Sequence, residues 1–437
     1  MTAIRPSDPT GRIFIVAGEA SGDVLGAGLM RAMRRQRPQP GGSLARDLAF
    51  AGVGGPDMRA EGLDSLFPLA DIAVMGFGPV IARLPQLIER INRTATAAIA
   101  LRPDVVVLID SPDFTHRVAA KVRAALPETP IVVYVSPTVW FWRPGRAKKL
   151  ARFCDRLLAL LPFEPDVHAL LGGPPTTFVG HPFVRKLDRA RNPAGLGPAP
   201  LAVGRRPRLL VLPGSRRSEV TRLLGIFGAA LKLIEDRIGP FDLTLPVVDH
   251  VRPLVEQGIA GWSVKPRLVA GEAAKLAAFA EADAALAASG TATLELSLAH
   301  VPTVAAYRLD WIGRWAKYLL RPPKMLAGRL PVRSAQLTNI IVGDKVMPEF
   351  IDGGCTPAVL AKAVAALLSD TPERRRQLDA FGRLDAAMLP EPGFDPDEHA
   401  AAAVWQAIAD GVAAQQSGAP PQVMGAADLS PAGKADP

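Results

Sequence analysis

The sequence predicts an α/β chain built from two Rossmann-like halves, and three observations predict it. Short apolar, β-branched runs of strand length alternate with helix-length amphipathic stretches, the pattern of βαβ units in a parallel sheet. The pattern occurs twice, either side of a polar stretch rich in Pro, Gly and Arg over 186–206. The first run, Arg12-Ile-Phe-Ile-Val-Ala17, stops at the glycine loop Gly18-Glu-Ala-Ser-Gly-Asp23 with a helical pattern directly behind it. Parallel sheets present ligands there, with backbone N–H groups and a helix N-terminus at the carboxyl end of a strand.

In the first half the strand candidates are 12–17, 47–52, 104–109, 130–135, 156–161 and 176–179. The pattern restarts at Arg208-Leu-Leu-Val-Leu212 and continues with 243–248, 267–270, 283–288 and 302–307. Helical patterns cover 356–369, 373–387 and 397–414. The expected organisation is a first domain over 1–185, a linker over 186–206, a second domain over 207–370 and terminal helices over 371–412. From 413 to 437 the chain is Ala, Gln, Gly, Pro and Ser without apolar period, a composition expected to stay disordered.

Composition narrows the function classes. At 437 residues, 49% of them apolar, the chain can bury two or three cores. Its longest apolar runs meet Pro, Gly or charge before the ~20 residues a spanning helix needs. The opening residues lack the apolar core of a signal peptide, so export is not expected. Cys154 and Cys355 make neither a disulfide framework nor a thiolate metal cluster, and both read as small buried residues. The net charge of +9 suits an anionic membrane surface, phosphorylated substrates or nucleic acid. No aromatic–basic nucleic-acid motif appears, so nucleic acid is not an expected partner. The six histidines show no ligand spacing, and Asp395-Pro-Asp397, a formal Asp-x-Asp, lies in a proline-broken stretch, so no metal is expected.

The loop after the first strand is neither a Walker A loop, having no Gly-Lys-Ser/Thr, nor a Gly-x-Gly-x-x-Gly. Glu19, Ser21 and Asp23 would hang acids and a hydroxyl at that mouth, which suits a sugar better than a bare phosphate. In Val105-Val-Val-Leu-Ile-Asp110-Ser-Pro-Asp113, Ser111 is placed to cap the next helix, Pro112 suits its first position, and Asp113 falls in the first turn, where the helix dipole favours an acid. Asp110 has no such structural reason. It ends a central strand, where a carboxylate can take a proton from a hydroxyl; His116 and His181 are the competing bases. In Leu212-Pro-Gly214-Ser215-Arg216-Arg217-Ser218-Glu219, Gly214 lets backbone approach a ligand, Ser215 or Ser218 can cap, and Arg216 offers a charged fork to phosphate oxygens. Ser289-Gly290-Thr291 opens a helix after an alanine-rich strand, suits a diphosphate, and places Glu295 one turn on, where it can accept both ribose hydroxyls.

Eight strings occur in order: Gly-Glu-Ala-Ser-Gly-Asp (18–23), Gly-Val-Gly-Gly-Pro (52–56), Val-Met-Gly (74–76), Ile-Asp-Ser-Pro-Asp-Phe (109–114), Tyr-Val-Ser-Pro-Thr-Val-Trp (134–140), Gly-His-Pro (180–182), Leu-Pro-Gly-Ser-Arg (212–216) and Ala-Ser-Gly-Thr-Ala-Thr-Leu-Glu (288–295). From about Ile13 to about Phe350 the chain thereby resembles the lipid-A-disaccharide synthases. The resemblance implies a GT-B glycosyltransferase: two Rossmann-like domains facing a cleft, with terminal helices crossing back onto the first. It implies inverting transfer of 2,3-diacylglucosamine from its uridine-diphosphate carrier to 2,3-diacylglucosamine 1-phosphate, without cofactor. Asp110 would be the base. Gly18, Glu19, Ser21, Asp23 and Met75 would hold the acceptor sugar, and Gly214, Ser215, Arg216, Ser289, Gly290, Thr291, Glu295 and Asn339 the donor. Thr338 and Glu349 extend the donor side. Leu-Thr-Asn (337–339) replaces the family's usual Leu-Pro-Asn and Asp352 stands where a glutamine is common, which weakens contacts from 336–352.

Segments 73–91 and 311–321 are rich in apolar, aromatic and basic residues and suit an acyl groove or the cytoplasmic face of a membrane; a buried helix or a contact between two copies of the chain explains them as well, so a homodimer stays open. Trp140-Phe-Trp-Arg-Pro-Gly-Arg-Ala-Lys-Lys149 adds aromatic and basic groups that can meet the acceptor's phosphate. Two alternatives remain: a non-hydrolysing UDP-N-acetylglucosamine 2-epimerase on the same fold, and a non-catalytic nucleotide-sugar-binding protein.

Overall fold

The computed structural model describes residues 11–36, 48–72, 83–141, 143–191, 205–309 and 334–417. Within them every apolar run picked out above forms a strand, because aliphatic side chains without interior charge suit a sheet covered on both faces. The first half contains β1 (Arg12–Ala17), β2 (Ala49–Val53), β3 (Asp64–Ser65), β4 (Val105–Ile109), β5 (Ile131–Tyr134), β6 (Arg156–Ala159) and β7 (Thr176–Phe178). The second contains β8 (Arg208–Leu212), β9 (Asp242–Pro246), β10 (Arg267–Val269), β11 (Ala284–Ala288), β12 (Thr303–Tyr307) and β13 (Glu349–Ile351). The edge strands β3 and β13 are not among the expected runs.

The strands form two parallel sheets, ordered β3-β2-β1-β4-β5-β6-β7 and β10-β9-β8-β11-β12-β13. Each reverses direction once, at β1/β4 and at β8/β11, and in such sheets the crevice beyond the carboxyl ends at the reversal is where ligands bind. Two Rossmann-like domains face each other in this way, as expected.

The first sheet is covered by α1 (Ala20–Arg35), α2 (Pro56–Ala60), α3 (Leu84–Leu101), α4 (Pro112–Ala125), α5 (Gly145–Leu150) and α6 (Glu164–Leu170). The second carries α8 (Arg217–Ile238), α9 (Arg252–Ile259), α10 (Glu272–Glu281), α11 (Thr291–Leu298), α12 (Leu337–Val342) and α13 (Pro357–Leu367). One layer of the first core joins β1, β4, β5 and β6 to α1 and to the last helix, α15 (Pro396–Ser417); the other packs α3 and α4 on the opposite face.

Two expectations about the connections need correction. The stretch from 186 does not start as a polar linker: a 3₁₀ turn (Pro182–Lys186) runs into α7 (Leu187–Ala190), because Phe183, Val184 and Leu187 are apolar and bury against the second domain, with Phe183 6.2 Å from the Phe279 ring of α10. Of the terminal helices, only α15 lies on the first domain, against α1. The preceding α14 (Pro372–Met388) packs Phe381, Leu384 and Met388 into the second domain's core and donates from Arg374 to the carbonyls of Asp283 and Leu367, both at 2.6 Å. Cys154 and Cys355 are buried singly. The 413–437 tail lies outside the described residues from 418 onward, as do Met75 and segment 311–321.

Asp395 and Asp397 both have structural work at the start of α15. Asp395 accepts from the Asp397 N–H at 2.8 Å, and buried Asp397 pairs with Arg185 next to Gly28 of α1. Asp397→Ala should therefore lower stability by about 2 kcal/mol, less than for a fully buried pair because the Arg185 side chain is 26% exposed and can reach water. Urea midpoints measure this, and the loss should appear equally in Arg185→Met.

Candidate active site

The first site is built at the β1/β4 reversal. The β4 run ends at Ile109, and Asp110 and Ser111 follow with φ of 57° and 46°, left-handed backbone that non-glycine residues adopt at a cost. The corner is held by Asp110 N–H to Tyr134 O at 3.0 Å, Gly18 N–H to Ile109 O at 3.1 Å and the Thr115 hydroxyl to Asp110 O at 2.7 Å. Gly18 is required here, because a Cβ on it would collide with the Ser111 side chain. Ser111 does not cap α4 through its side chain, contrary to expectation, since its left-handed backbone turns the hydroxyl away; its N–H instead donates to Asp110 Oδ1 at 2.7 Å.

Burial raises the Asp110 carboxyl to about 6, opposed by the Ser111 N–H and reinforced by the negative charge and hydrogen bond of Glu19. Glu19 in turn accepts from the Ser21 hydroxyl at 2.6 Å, so the structure brings Gly18, Glu19, Ser21 and Asp110 together. Asp23 does not join them. It is buried and accepts from the N–H groups of Gly55, Asp57 and Met58 at 2.7, 2.9 and 3.1 Å, which anchors the N-terminus of α2 and uses up the carboxylate. The competing bases are unsuited as well. His181 accepts the Phe183 N–H at 3.3 Å within the domain crossing, and His116 lies against Phe153 and Arg146; burial lowers both to about 4. Asp113 is exposed and 3.4 Å from Arg146, a surface contact of α4 and α5.

The second site lies at the β8/β11 reversal. Gly214 has φ of 107°, and a Cβ there would run into Glu219, which accepts from the Arg216 N–H and from Arg216 Nη1, each at 3.3 Å. Glu219, rather than Ser215 or Ser218, thus closes the first turn of α8. The Arg216 side chain stays 68% exposed and able to swing to a ligand. Across the reversal, Ser289, Gly290 and Thr291 form the turn into α11. Glu295, one turn on, is held by Lys275 of α10.

Asn339 is a second correction. Fully buried, it donates to Ser334 Oγ and Met347 O, both at 3.0 Å, and accepts the N–H groups of Val346 and Met347 at 3.0 and 2.8 Å. Its amide is saturated by the loops it ties together, with nothing left for a donor. Thr338 is likewise buried on Ser297 at 2.8 Å, and Glu349 accepts the Ala335 N–H at 3.0 Å.

Sequence reasoning missed four side chains around these turns. Gln336, buried, donates to Ser289 Oγ at 2.7 Å and accepts from the Thr293 hydroxyl at 2.9 Å, clamping the 289–291 turn. His250, beyond β9, is 2.8 Å from Ser215 O. Lys275 and Glu164 complete the set, and no local spacing in the sequence points to any of the four. Among the described residues no three His, Cys, Asp or Glu side chains converge on a metal position.

Comparisons with known proteins identify the family and the fold. The family model described as lipid-A-disaccharide synthetase matches residues 13–388. The chain belongs to the lipid-A-disaccharide synthase family. It is 47% identical over 383 residues to the synthase of Rhodopseudomonas palustris strain HaA2, covering 86% of this chain and 91% of that one. Against the synthase of Rhodospirillum centenum it is 41% identical, covering 94% and 98%. Among solved structures, MurG of Acinetobacter baumannii (TM-score 0.51, 13% identity, 91% and 100% covered) and a UDP-N-acetylglucosamine 2-epimerase of Listeria monocytogenes (TM-score 0.55, 12% identity, 94% and 97% covered) share the GT-B architecture. At such identities the epimerase likeness is one of fold, and the relatives by sequence are synthases. The family's enzyme is a glycosyltransferase of lipid A biosynthesis acting on a nucleotide sugar and an acceptor lipid.

If Asn339 holds loops rather than donor, Asn339→Ala should destabilise by about 2–4 kcal/mol, since it strands several buried backbone groups. Turnover per folded molecule should stay within about threefold. Thermal melting and kinetics on the folded fraction separate the two.

Proposed function

We propose that the protein transfers 2,3-diacylglucosamine, with inversion, from its uridine-diphosphate carrier to the 6-hydroxyl of 2,3-diacylglucosamine 1-phosphate, giving the β-1,6 disaccharide 1-phosphate and UDP. The observation that carries the reading is Asp110: an acid at the reversal of the first sheet, on strained backbone, with a carboxyl raised to about 6 and no structural hydrogen bond that requires its ionisation beyond the neighbouring Ser111 N–H.

The acceptor oxygen attacks the anomeric carbon from the face opposite the diphosphate. As the new C–O bond forms, the bond to the diphosphate oxygen breaks and its electron pair leaves with UDP. The hydroxyl proton passes to Asp110. A base raised to about 6 is mostly ionised at neutral pH yet more basic than an ordinary carboxylate, which suits the task. Glu19 and Ser21 support the acceptor sugar beside Asp110. Arg216, released from Glu219, and the N–H groups of the 289–291 turn meet the charge that builds on the diphosphate. Glu295, exchanging Lys275 for the ribose hydroxyls, orients the nucleotide.

The protein works at the inner face of the cytoplasmic membrane, held peripherally. Among the described residues no helix is long and apolar enough to cross a membrane, and α3 exposes Leu84 and Ile88 to solvent at 44% and 46%. Interfacial apolar side chains plus basic groups, each worth ~1 kcal/mol near anionic lipid and screened by salt, supply the attachment.

Asp110→Asn should fold and abolish turnover of the two lipids to UDP and disaccharide phosphate; turnover within tenfold of wild type would remove it as base. In the wild type kcat/KM should rise with pH through about 6 and level off, because only the ionised base is active. Glu19→Gln removes a charge that raises Asp110, so any residual activity should have its acid limb at lower pH. The folded carboxyl is raised above its unfolded value, so its stabilising contribution is lost as pH climbs through about 6. Asp110→Asn should therefore be at least as stable as wild type above that pH.

Concentrated salt should release much of the protein from anionic vesicles without detergent. Trp311→Ser with Trp315→Ser should weaken vesicle sedimentation more than it lowers the melting temperature. Unfolding of the double variant would assign those tryptophans to a core.

A further inference from the structure

A second set of buried polar groups lies at the carboxyl edge of the first sheet, one strand from Asp110, and the chemistry above leaves it unused. Glu164, at the start of α6, is buried with no cation in contact among the described residues. It accepts from the Leu161 N–H at 3.1 Å and, more weakly, from the Trp140 indole at 3.4 Å, and hydrogen-bonds Ser136. Ser136 Oγ lies 2.9 Å from His168 Nε2, and His168 Nδ1 is buried with no partner. Since Nδ1 has nothing to donate to, the proton belongs on Nε2. His168 then donates to Ser136 Oγ, whose single proton is shared between Pro137 O, at 3.1 Å, and Glu164. Burial lowers His168 to about 4, so it is neutral, and raises Glu164 to about 7.

This set is costly for a fold to keep. A buried acid with no cation and an imidazole with an idle nitrogen both destabilise, and apolar residues of similar volume would not. The backbone bears a cost too: Val135, β-branched, takes φ of 79° where β5 gives way to the 135–141 loop. Costs of this kind concentrate at functional edges of sheets rather than at random in cores. The loop they hold carries Trp140, buried edge-on to Phe163 at 5.4 Å, and then Phe141, which is 48% exposed. Five residues on, Arg146 reaches Asp113 on the helix that Asp110 precedes, so the segment runs alongside the acceptor half of the site.

We propose that Glu164 is a positioning residue: through Ser136 and Trp140 it fixes the 135–141 loop as a wall of the acceptor subsite, with Phe141 presenting its apolar face to the acceptor lipid. The inference rests on the reading that the first domain binds the acceptor. A rigid aromatic wall spares the acceptor the cost of ordering the loop on binding, so its loss appears in acceptor affinity and not in the chemical step.

The test is steady-state kinetics with the acceptor and the UDP-sugar varied separately, on Phe141→Ser, Ser136→Ala, Glu164→Gln and the Phe141→Ser/Glu164→Gln double variant. Each single variant should raise the acceptor KM about tenfold while kcat and donor KM stay within about threefold. The double variant should be no worse than about twofold beyond the worse single, because both changes disable one wall. Phe141 is exposed and Ser136→Ala removes one oxygen, so these two carry the test if Glu164→Gln does not fold. Unchanged acceptor KM in Phe141→Ser and Ser136→Ala, a shift in donor KM instead, or fully additive losses would each overturn the proposal. A shift in donor KM while Asp110→Asn is inactive overturns this inference alone; an active Asp110→Asn overturns the acceptor-half reading beneath it.

Discussion

The contact between Gly18 and Ser111 governs the first domain's site. A parallel sheet that reverses its winding leaves a gap between the two strands at the reversal, and here the loops after β1 and β4 meet in that gap at a separation only glycine allows. The Gly18 N–H bonds the last carbonyl of β4, so the two loops act as one piece. With the backbone so fixed, Asp110 is forced into left-handed conformation, and the acids of both loops, Glu19 and Asp110, come within hydrogen-bonding reach. Burial in that same corner is the main cause that raises the carboxyl, and the neighbouring Glu19 adds to it.

The two halves of the cleft treat charge differently. On the first side Asp110 and Glu164 are acids buried without a paired cation among the described residues, and burial raises both. On the second side the charged side chains come in pairs, Arg216 with Glu219 and Lys275 with Glu295. An unpaired buried acid is poised to take a proton, whereas a paired ion can exchange its partner for a ligand of the same sign at small net cost. The first arrangement suits deprotonation of a hydroxyl and the second suits a diphosphate and a ribose that arrive and leave each cycle.

The strand cores were legible because Val, Ile and Leu runs bounded by Gly and Pro have few other uses. The edge strands β3 and β13 were not: Asp64-Ser65 and Glu349-Phe-Ile351 are too short to show a pattern and pair along one side only. The strand-end loops were legible too, since a strand end followed by a helix start is a local signal. Which way a side chain faces is not local. Asp23 and Asn339 both sit in loop motifs with ligand-like chemistry, and both turn inward to satisfy backbone groups of segments far along the chain, Gly55 to Met58 in one case and Val346 to Met347 in the other. Glu164 illustrates the converse, since its partners Ser136 and Trp140 come from the neighbouring strand's loop and no spacing rule joins them.

The chain crosses between domains twice, and the anchors either side of each crossing confine where the cleft can change width. Arg185 is fixed to Asp397 at the start of α15, on the first domain. Arg191, six positions later, donates to Leu298 O at 2.8 Å and pairs with Asp385 of α14, on the second. Between them α7 packs on α10, which moves the boundary to the turn around Lys186, itself paired with Glu272. The return crossing is equally short: α14 ends at Met388 in the second core and α15 starts at Pro396 on the first. Packed elements move as rigid bodies, so closure must be absorbed in those two turns. Asp110 rides on one body while Arg216 and Glu295 ride on the other, so under the proposed function the two sets act on one substrate pair only when both crossings permit it.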